Sequence, residues 1–290
     1  VTLYAKWTIN PYTLTLVKNN GETNVEVIYD FDEQMNVPSV PNKEGHTFAG
    51  WYENQNFEGE QYAFGTMPAK NVTLYAKWNV NSYDITFVLN NGEQDEIVTY
   101  AFGTTTSAIA TPEKEGYTFA GWYDNEACSG SPYIFDTMPA HGVMLYAKWD
   151  VNSYTITFVK NNGEQNEIVS YDFGAETAEI TRPEKVGFTF GGWYDNAECT
   201  GTPYVFGTMP AHGVTLYAKW NINSYTITFV DGSDTLSSTD YQYDEMPVAP
   251  DMPSQKIIDE STIAIFKGWS PAVVAATATQ TYTAVWENQA

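Results

Sequence analysis

The string Leu-Tyr-Ala-Lys-Trp ends at Trp7, Trp78, Trp149 and Trp220, at a constant interval of 71. Gly-Trp recurs at Trp51, Trp122 and Trp193, and a Tyr opens an alternating segment at Tyr12, Tyr83, Tyr154 and Tyr225. A period this long is a domain length and not a solenoid turn of about 20–50 residues, so each copy is expected to close its own core. The spacing places modules at 8–78, 79–149, 150–220 and 221–290, with residues 1–7 as the closing strand of a truncated preceding repeat. That fragment and the absence of an initiator Met suggest a piece excised from a longer array. The fourth module is diverged: its Gly-Trp falls at Trp269, and its last Trp286 follows after a shorter interval than separates Trp193 from Trp220. Terminal repeats are often atypical, so a cap or a second subtype is expected there.

Within one copy the local pattern is β. Tyr154, Ile156 and Phe158 alternate with Thr155 and Thr157, the period-2 signature of a half-buried strand. Asn161-Asn162-Gly163 tolerates the positive φ of a tight hairpin. The returning strand puts Val169, Tyr171 and Phe173 on one face, and the glycines before Trp193 favour a bulge or close backbone approach. Thr208-Met209-Pro210 reads as a turn or short helical piece, and the last strand sets Val214, Leu216, Ala218 and Trp220 on one face. No segment shows a sustained 3.6-residue apolar period. The expected fold is therefore β-dominant α+β, a four- or five-stranded mixed sheet over a small core. Such a core is marginal, because a domain of about 60 residues buries only about 60% of its unfolded surface. The rings offset this, each burying about 150–250 Å². Trp51, Trp122, Trp193, Trp269, Trp78, Trp149, Trp220 and Trp286 are accordingly read as core and not as ligand contacts.

Composition narrows the function classes. The net charge is −23, which repels phosphate backbones and anionic lipid, so nucleic acid and membrane surfaces are not expected as partners. No apolar run is long enough for a membrane span. At 43% hydrophobic and 16% aromatic residues the chain is too apolar to be disordered.

Three elements together carry a specific likeness: Tyr-Thr-Phe-Ala-Gly-Trp-Tyr (Tyr117 to Tyr123), Met138-Pro139-Ala140 and Leu145 to Trp149. They resemble the Listeria–Bacteroides repeat, the internalin-type B repeat of bacterial surface proteins. In the fourth module Phe266-Lys-Gly-Trp269 survives while the Met-Pro turn and the Leu-Tyr-Ala-Lys-Trp ending are lost. The resemblance implies small β-grasp-like domains in tandem on secreted or cell-wall-attached proteins, acting as stalk or spacer units with some roles in adhesion or signalling to host cells. It transfers no catalytic residues.

The internal copies serve as a control for chemistry, since a shared site should recur at the same interval. His141 and His212 correspond, but the first module has Lys70 there, and His46 corresponds to Tyr117 and Phe188. No His/Cys/Asp cluster has metal-ligand spacing, so no metal and no cofactor are expected. Cys128 and Cys199 share a position that is Phe57 in the first module, which fits a small buried hydrophobe. Glu53, Asp124 and Asp195 recur, as do Glu22, Glu93 and Glu164, but at strand ends and turns where solvated acids are common. Lys6, Lys77, Lys148 and Lys219 raise the question of Lys–Asn isopeptide bonds; alternation points them outward, with stems covering a neighbouring ring.

Only four residues separate each closing Trp from the next Tyr, and the second is apolar each time: Ile9, Val80, Val151 and Ile222. These are expected to plug the joints, limit bending and produce an elongated rod. At a diameter of about 28 Å per module, four modules would span about 110 Å. The sequence thus points to a monomeric, non-catalytic spacer on a bacterial cell surface or wall, whose partners are neighbouring repeats. The competing reading is an adhesin module gripping a glycan or host protein, for which Tyr146 and Tyr217 are the outward aromatic candidates.

Overall fold

The computed structural model describes residues 1–289. The chain divides into two compact units, Val1–Asp150 and Val151–Ala290. In the first, β1 (Pro11–Val17), β2 (Val25–Asp30), β3 (His46–Tyr52) and β4 (Val72–Val80) form one sheet, and β5 (Ser82–Val88), β6 (Glu96–Ala101), β7 (Tyr117–Tyr123) and β8 (Val143–Val151) form the next. In the second, β9 (Ser153–Val159), β10 (Glu167–Asp172), β11 (Phe188–Tyr194) and β12 (Val214–Ile222) make a third sheet. The last has five strands: β13 (Ser224–Asp231), β14 (Asp234–Gln242), β15 (Gln255–Ile257), β16 (Ile263–Ser270) and β17 (Gln280–Gln289).

Each sheet is mixed. The order β2-β1-β4-β3 places the opening and closing strands side by side at the centre. They run parallel, with Leu14 opposite Val72 and Leu16 opposite Leu74. A parallel pair needs a long crossover, and the intervening chain supplies β2, β3 and the loops that roof the core. The same parallel pair recurs as Phe158 opposite Leu216 and Phe229 opposite Tyr282. The core is the inward face of these strands: Ile156, Phe158 and Leu216 are completely buried, with Trp193, Met209 and Ala218 beside them.

Among the described residues there is no helix, so the helical component of the expected α+β class is absent. The Met-Pro segment shows why. Met209 donates its N–H to Ala175 O (2.8 Å) and accepts from Gly174 N (2.9 Å), so long-range partners satisfy the groups a helix would pair locally. Pro210 has no N–H to continue a helical ladder. Met67, Met138 and Met209 are each 1% exposed, which makes this turn an anchor driven into the core.

The loop after the opening strand is also wider than a tight hairpin, spanning 18–24 in the first sheet. It is held by side chains. Asn19 (φ 53°) donates from Nδ2 to Ala76 O at 3.0 Å, and Asn20 reaches Asn42 O at 2.9 Å. The bulge expected before the Gly-Trp tryptophan is present: the pairing of β11 with β12 shifts between Phe190 and Trp193, where Gly192 has φ 111°.

Residues 1–7, expected as a closing strand, form no strand, and Leu3, Tyr4 and Trp7 are each 89% exposed. The identical string Val-Thr-Leu-Tyr-Ala-Lys-Trp at 72–78 is a strand because β1 and β3 flank it. Among the described residues, 1–7 have neither neighbour.

Candidate functional site

The eight expected core tryptophans fall into two kinds. Trp51, Trp122 and Trp193 are buried in three successive cores, while Trp269 packs half-buried on the fourth. Trp78, Trp149, Trp220 and Trp286 are half-buried, each edge-on to a phenylalanine that also meets the Gly-Trp ring. Phe48, for example, lies 5.5 Å from Trp51 and 5.6 Å from Trp78 between centroids. Such edge-to-face geometry suits the ring quadrupoles. The closing indoles donate to a fixed acceptor: Trp78 to Lys18 O, Trp149 to Leu89 O and Trp220 to Lys160 O, all at 2.8 Å. In the last module Trp286 donates to the Asp231 carboxylate at 3.0 Å, which also binds Lys256 at 2.9 Å.

The lysines of the repeated ending lie over rings. Nζ of Lys77, Lys148 and Lys219 sits 5.0, 5.1 and 4.9 Å from the Tyr52, Tyr123 and Tyr194 centroids. A second set, which sequence reasoning passed over, crosses the outer face of the closing tryptophans. Lys43, Lys114 and Lys185 lie 5.9, 5.8 and 5.9 Å from Trp78, Trp149 and Trp220. Glu53, Asp124, Asp195, Glu22, Glu93 and Glu164 are all exposed. Among the described residues no three His, Cys, Asp or Glu side chains gather closely enough to hold a metal ion. Tyr146 and Tyr217 are half-buried, and the Tyr146 hydroxyl is spent on Met144 Sδ at 2.9 Å.

Cys128 and Cys199 are half-buried and free, with φ of 47° and 49°; Phe57 in the first module has 56°. Each of these residues lies in a small loop closed by an asparagine. Asn54 accepts from Glu58 N at 3.0 Å, and Asn196 accepts from Thr200 N at the same distance. Burial pushes the Cys199 thiol up from its ordinary value, against an opposing pull from Lys219.

The joints within each unit differ from expectation. Val80 and Ile222 are 53% and 39% exposed, so neither is a plug. β4 and β12 run through Val80 and Ile222 and end there, beyond the reach of the core. The contact is made by other residues. In the first unit the Phe102 ring lies on Gly45, a buried glycine with φ 64°, so closely that a Cβ there would stand 2.1 Å from the ring. Asn81 ties the two together: its N–H donates to Gly45 O (2.9 Å), its own carbonyl accepts from Phe102 N (2.8 Å), and Thr47 donates to its side chain (2.6 Å). His46 meets the same ring edge-on at 5.8 Å. In the second unit Tyr243 lies on Gly187 (φ 79°) with the same 2.1 Å approach. Asn223 repeats all three bonds at 2.9, 2.8 and 2.6 Å. Sequence periodicity contained the signal, since Phe31, Phe102 and Phe173 recur at the repeat interval, but the ring stands far from the glycine in the chain.

One concavity opens in the first module. A cleft of about 510 Å³ is lined by Leu14, Leu16, Val27, Trp51, Pro38 and Pro41. The second and third modules place Ile109 and Ile180 at the position of Pro38, and both pack onto their cores.

A model of the Listeria–Bacteroides repeat domain matches residues 12–77, 83–148 and 154–219. The chain belongs to this family. Its repeats are 37% identical over 260 residues to a putative Gly-rich membrane protein of Evansella cellulosilytica, covering 88% of this chain and 30% of that protein. They are also 37% identical over 145 residues to Internalin H of Listeria monocytogenes, covering 49% of this chain and 25% of that protein. The chain therefore spans a third or less of the length of these two relatives. A pair of streptococcal high-identity tandem repeat domains from a cell surface protein covers 48% of this chain at 13% identity and a TM-score of 0.22, too low for any structural argument. Residues after 219, including the five-stranded sheet, lie outside the three family matches.

Proposed function

We propose that these Listeria–Bacteroides repeats form a non-catalytic spacer on a bacterial cell surface or wall, holding another domain away from it. The observation that carries this reading is the joint. Gly45–Asn81–Phe102 and Gly187–Asn223–Tyr243 make the same contact with the same hydrogen bonds in each unit. A four-residue connection tied this way resists bending, whereas a Gly/Ser linker of that length would not. The proposal includes an elongated rod of β-grasp-like sheets and an extracellular location, in keeping with the Internalin H relative. Small-angle scattering of the whole chain tests it. The expected maximum dimension is about 110 Å from compact-domain scaling, and a globule of half that length would overturn the rod.

A second reading, an adhesin module binding a glycan or host protein, is favoured by the open cleft beside Trp51. Its volume falls within the range of about 300–1,000 Å³ typical of ligand pockets. A glycan array probed with the whole chain and with a variant whose cleft is closed by Pro38→Trp separates the readings. Loss of a specific signal in the variant would support the second.

A further inference from the structure

The cleft beside Trp51 carries an imprint of what it lacks. In the second module the corresponding ground is filled by that module's own side chains. Phe87 meets Trp122 edge-on at 4.9 Å between centroids, and Ile109 packs on the same core. The third module repeats this with Phe158 on Trp193 at 5.0 Å and with Ile180. In the first module Leu16 and Pro38 hold these two positions, so position 16 offers Trp51 no ring and a hollow of about 510 Å³ remains. We propose that this cleft docks an aromatic side chain of an extended, positively charged peptide segment of another protein, the ring standing to Trp51 as Phe87 stands to Trp122. The inference rests on the adhesin reading and narrows its ligand from a glycan or protein to a peptide.

Three observations specify this occupant. The first is the lining, in which Leu14, Leu16, Val27, Pro38 and Pro41 surround Trp51, and the two charged residues, Lys18 and Glu22, are already paired with each other at 3.0 Å. A sugar sunk there would face mostly carbon and leave hydroxyls unpaired at a cost, whereas a ring gains edge-to-face packing on the indole. The second is the strand beside it. Val25, Val27 and Tyr29, alternate residues of β2, all line the cleft, and β2 is the edge of its sheet. A chain laid along that edge presents every second side chain to the same face, so an extended segment delivers a ring where the cleft opens. The third is charge. Glu26 and Asp30 on β2 are exposed and have no ion pair among the described residues, in a chain of net charge −23. Cationic residues flanking the ring are drawn to that edge and anionic ones are repelled.

The experiment records methyl NMR spectra of the full chain, labelled at isoleucine, leucine and valine, during titration with acetyl-Lys-Lys-Phe-Lys-Lys-amide. The Leu14, Leu16 and Val27 methyls are expected to shift saturably, while Ile85 and Ile156, which stand where Leu14 does in the second and third modules, stay in place. Replacing the peptide's Phe by Ala, or its Lys residues by Glu, should weaken binding severalfold. Leu16→Phe combined with Pro38→Ile, which copies the other modules, should abolish the shifts, with dispersed Val72 and Leu74 methyls reporting that the first core still folds. Equal binding of the Ala peptide, or binding that survives in the filled variant, would overturn the proposal. A response of the same methyls to N-acetylglucosamine oligomers and none to the peptide would also overturn it, while leaving the adhesin reading standing. Silence toward both would overturn it and remove the cleft as support for an adhesin. Should the filled variant not fold, the exposed change Glu26→Lys decides. Severalfold weaker binding of the Lys-flanked peptide, with tighter binding of the Glu-flanked one, supports the charged edge, and unchanged binding of both refutes it.

Discussion

Trp149 donates its indole N–H to the carbonyl of Leu89 across 60 residues of sequence, at 2.8 Å. The bond fastens the end of β8 to the end of β5, the two strands that form the parallel centre of their sheet. Leu89 is 3% exposed, so its carbonyl has little access to water. Trp149→Phe keeps most of the ring packing against Phe119 and removes the donor. A hydrogen bond of this kind contributes about 1 kcal/mol, and more where the stranded acceptor is buried. Native-state hydrogen exchange should show β5 and β8 amides opening more readily by about that amount, with β1 and β4 unchanged. Equal loosening in both sheets would mean the bond is not local in its effect.

At the second joint, Tyr243 supplies through its ring what Phe102 supplies at the first. The hydroxyl is therefore dispensable and the ring is not. Tyr243→Phe should leave the unfolding of the third and fourth modules coupled. Tyr243→Ala should uncouple them, splitting one calorimetric transition of the second unit into two. Burying a ring gives roughly 25 cal/mol per Å² of apolar area removed from water, so the coupling lost is on the order of 1–2 kcal/mol for a half-buried ring. An unsplit transition in Tyr243→Ala would place the coupling elsewhere.

Much of this fold was legible because the sequence repeats. Alternation located β9, β10 and β12 within a residue or two, and the glycines before Trp193 marked the bulge in β11. What escaped was non-local. Val80 and Ile222 looked like plugs because apolar residues in short linkers usually are; nothing nearby in sequence says that β4 and β12 extend through them into solvent. Phe102 finds Gly45 from the following module, so the joint belongs to topology and not to the linker. Thr208-Met209-Pro210 was legible as a turn or a short helical piece; what decides for the turn is again non-local, because Met209 is held by Gly174 and Ala175, beyond the whole of β11. Cys128 and Cys199 sit in different modules and are free, but their left-handed φ was hidden in a position that also tolerates Phe.

The cleft in the first module opens where its lining is smaller than in the other copies: Leu16 stands in place of the buried Phe87 and Phe158, and Pro38 in place of Ile109 and Ile180. Ile109 and Ile180 cap their cores. Truncating a well-packed isoleucine costs about 2–5 kcal/mol, the lower end applying where the side chain is only partly buried. Ile109→Ala should destabilise the second module by roughly 2 kcal/mol. Pro38→Ala should cost less than about 1 kcal/mol, since little packing is lost. Urea unfolding followed by exchange mass spectrometry would assign each loss to its module. Comparable losses at the two positions would show that Pro38 already closes its core.

Cys199 offers a pH test of local burial. Desolvation raises its thiol, Lys219 pulls it down and Glu198 pushes it up. The thiolate is the nucleophile, so alkylation should follow the deprotonated fraction. In a Cys128→Ser background, the rate with iodoacetamide should rise with a midpoint above the value of about 8.5 for an unperturbed cysteine. Removing the favourable charge by Lys219→Met should move that midpoint higher still, and Glu198→Gln should lower it. The sign follows from the charge: a nearby cation favours thiolate and a nearby anion opposes it. Because folding holds the thiol in its neutral form, the Cys199 contribution to stability is present at pH values below the unfolded value. It wanes where an unfolded thiol would ionise and the folded one would not, so urea midpoints for the Cys128→Ser chain and its Cys199→Ser derivative should draw together as pH climbs past about 8.5. A midpoint for alkylation at or below that of free cysteine would mean the loop opens often enough for solvent to govern the thiol, and the half-buried position would be only a minor state.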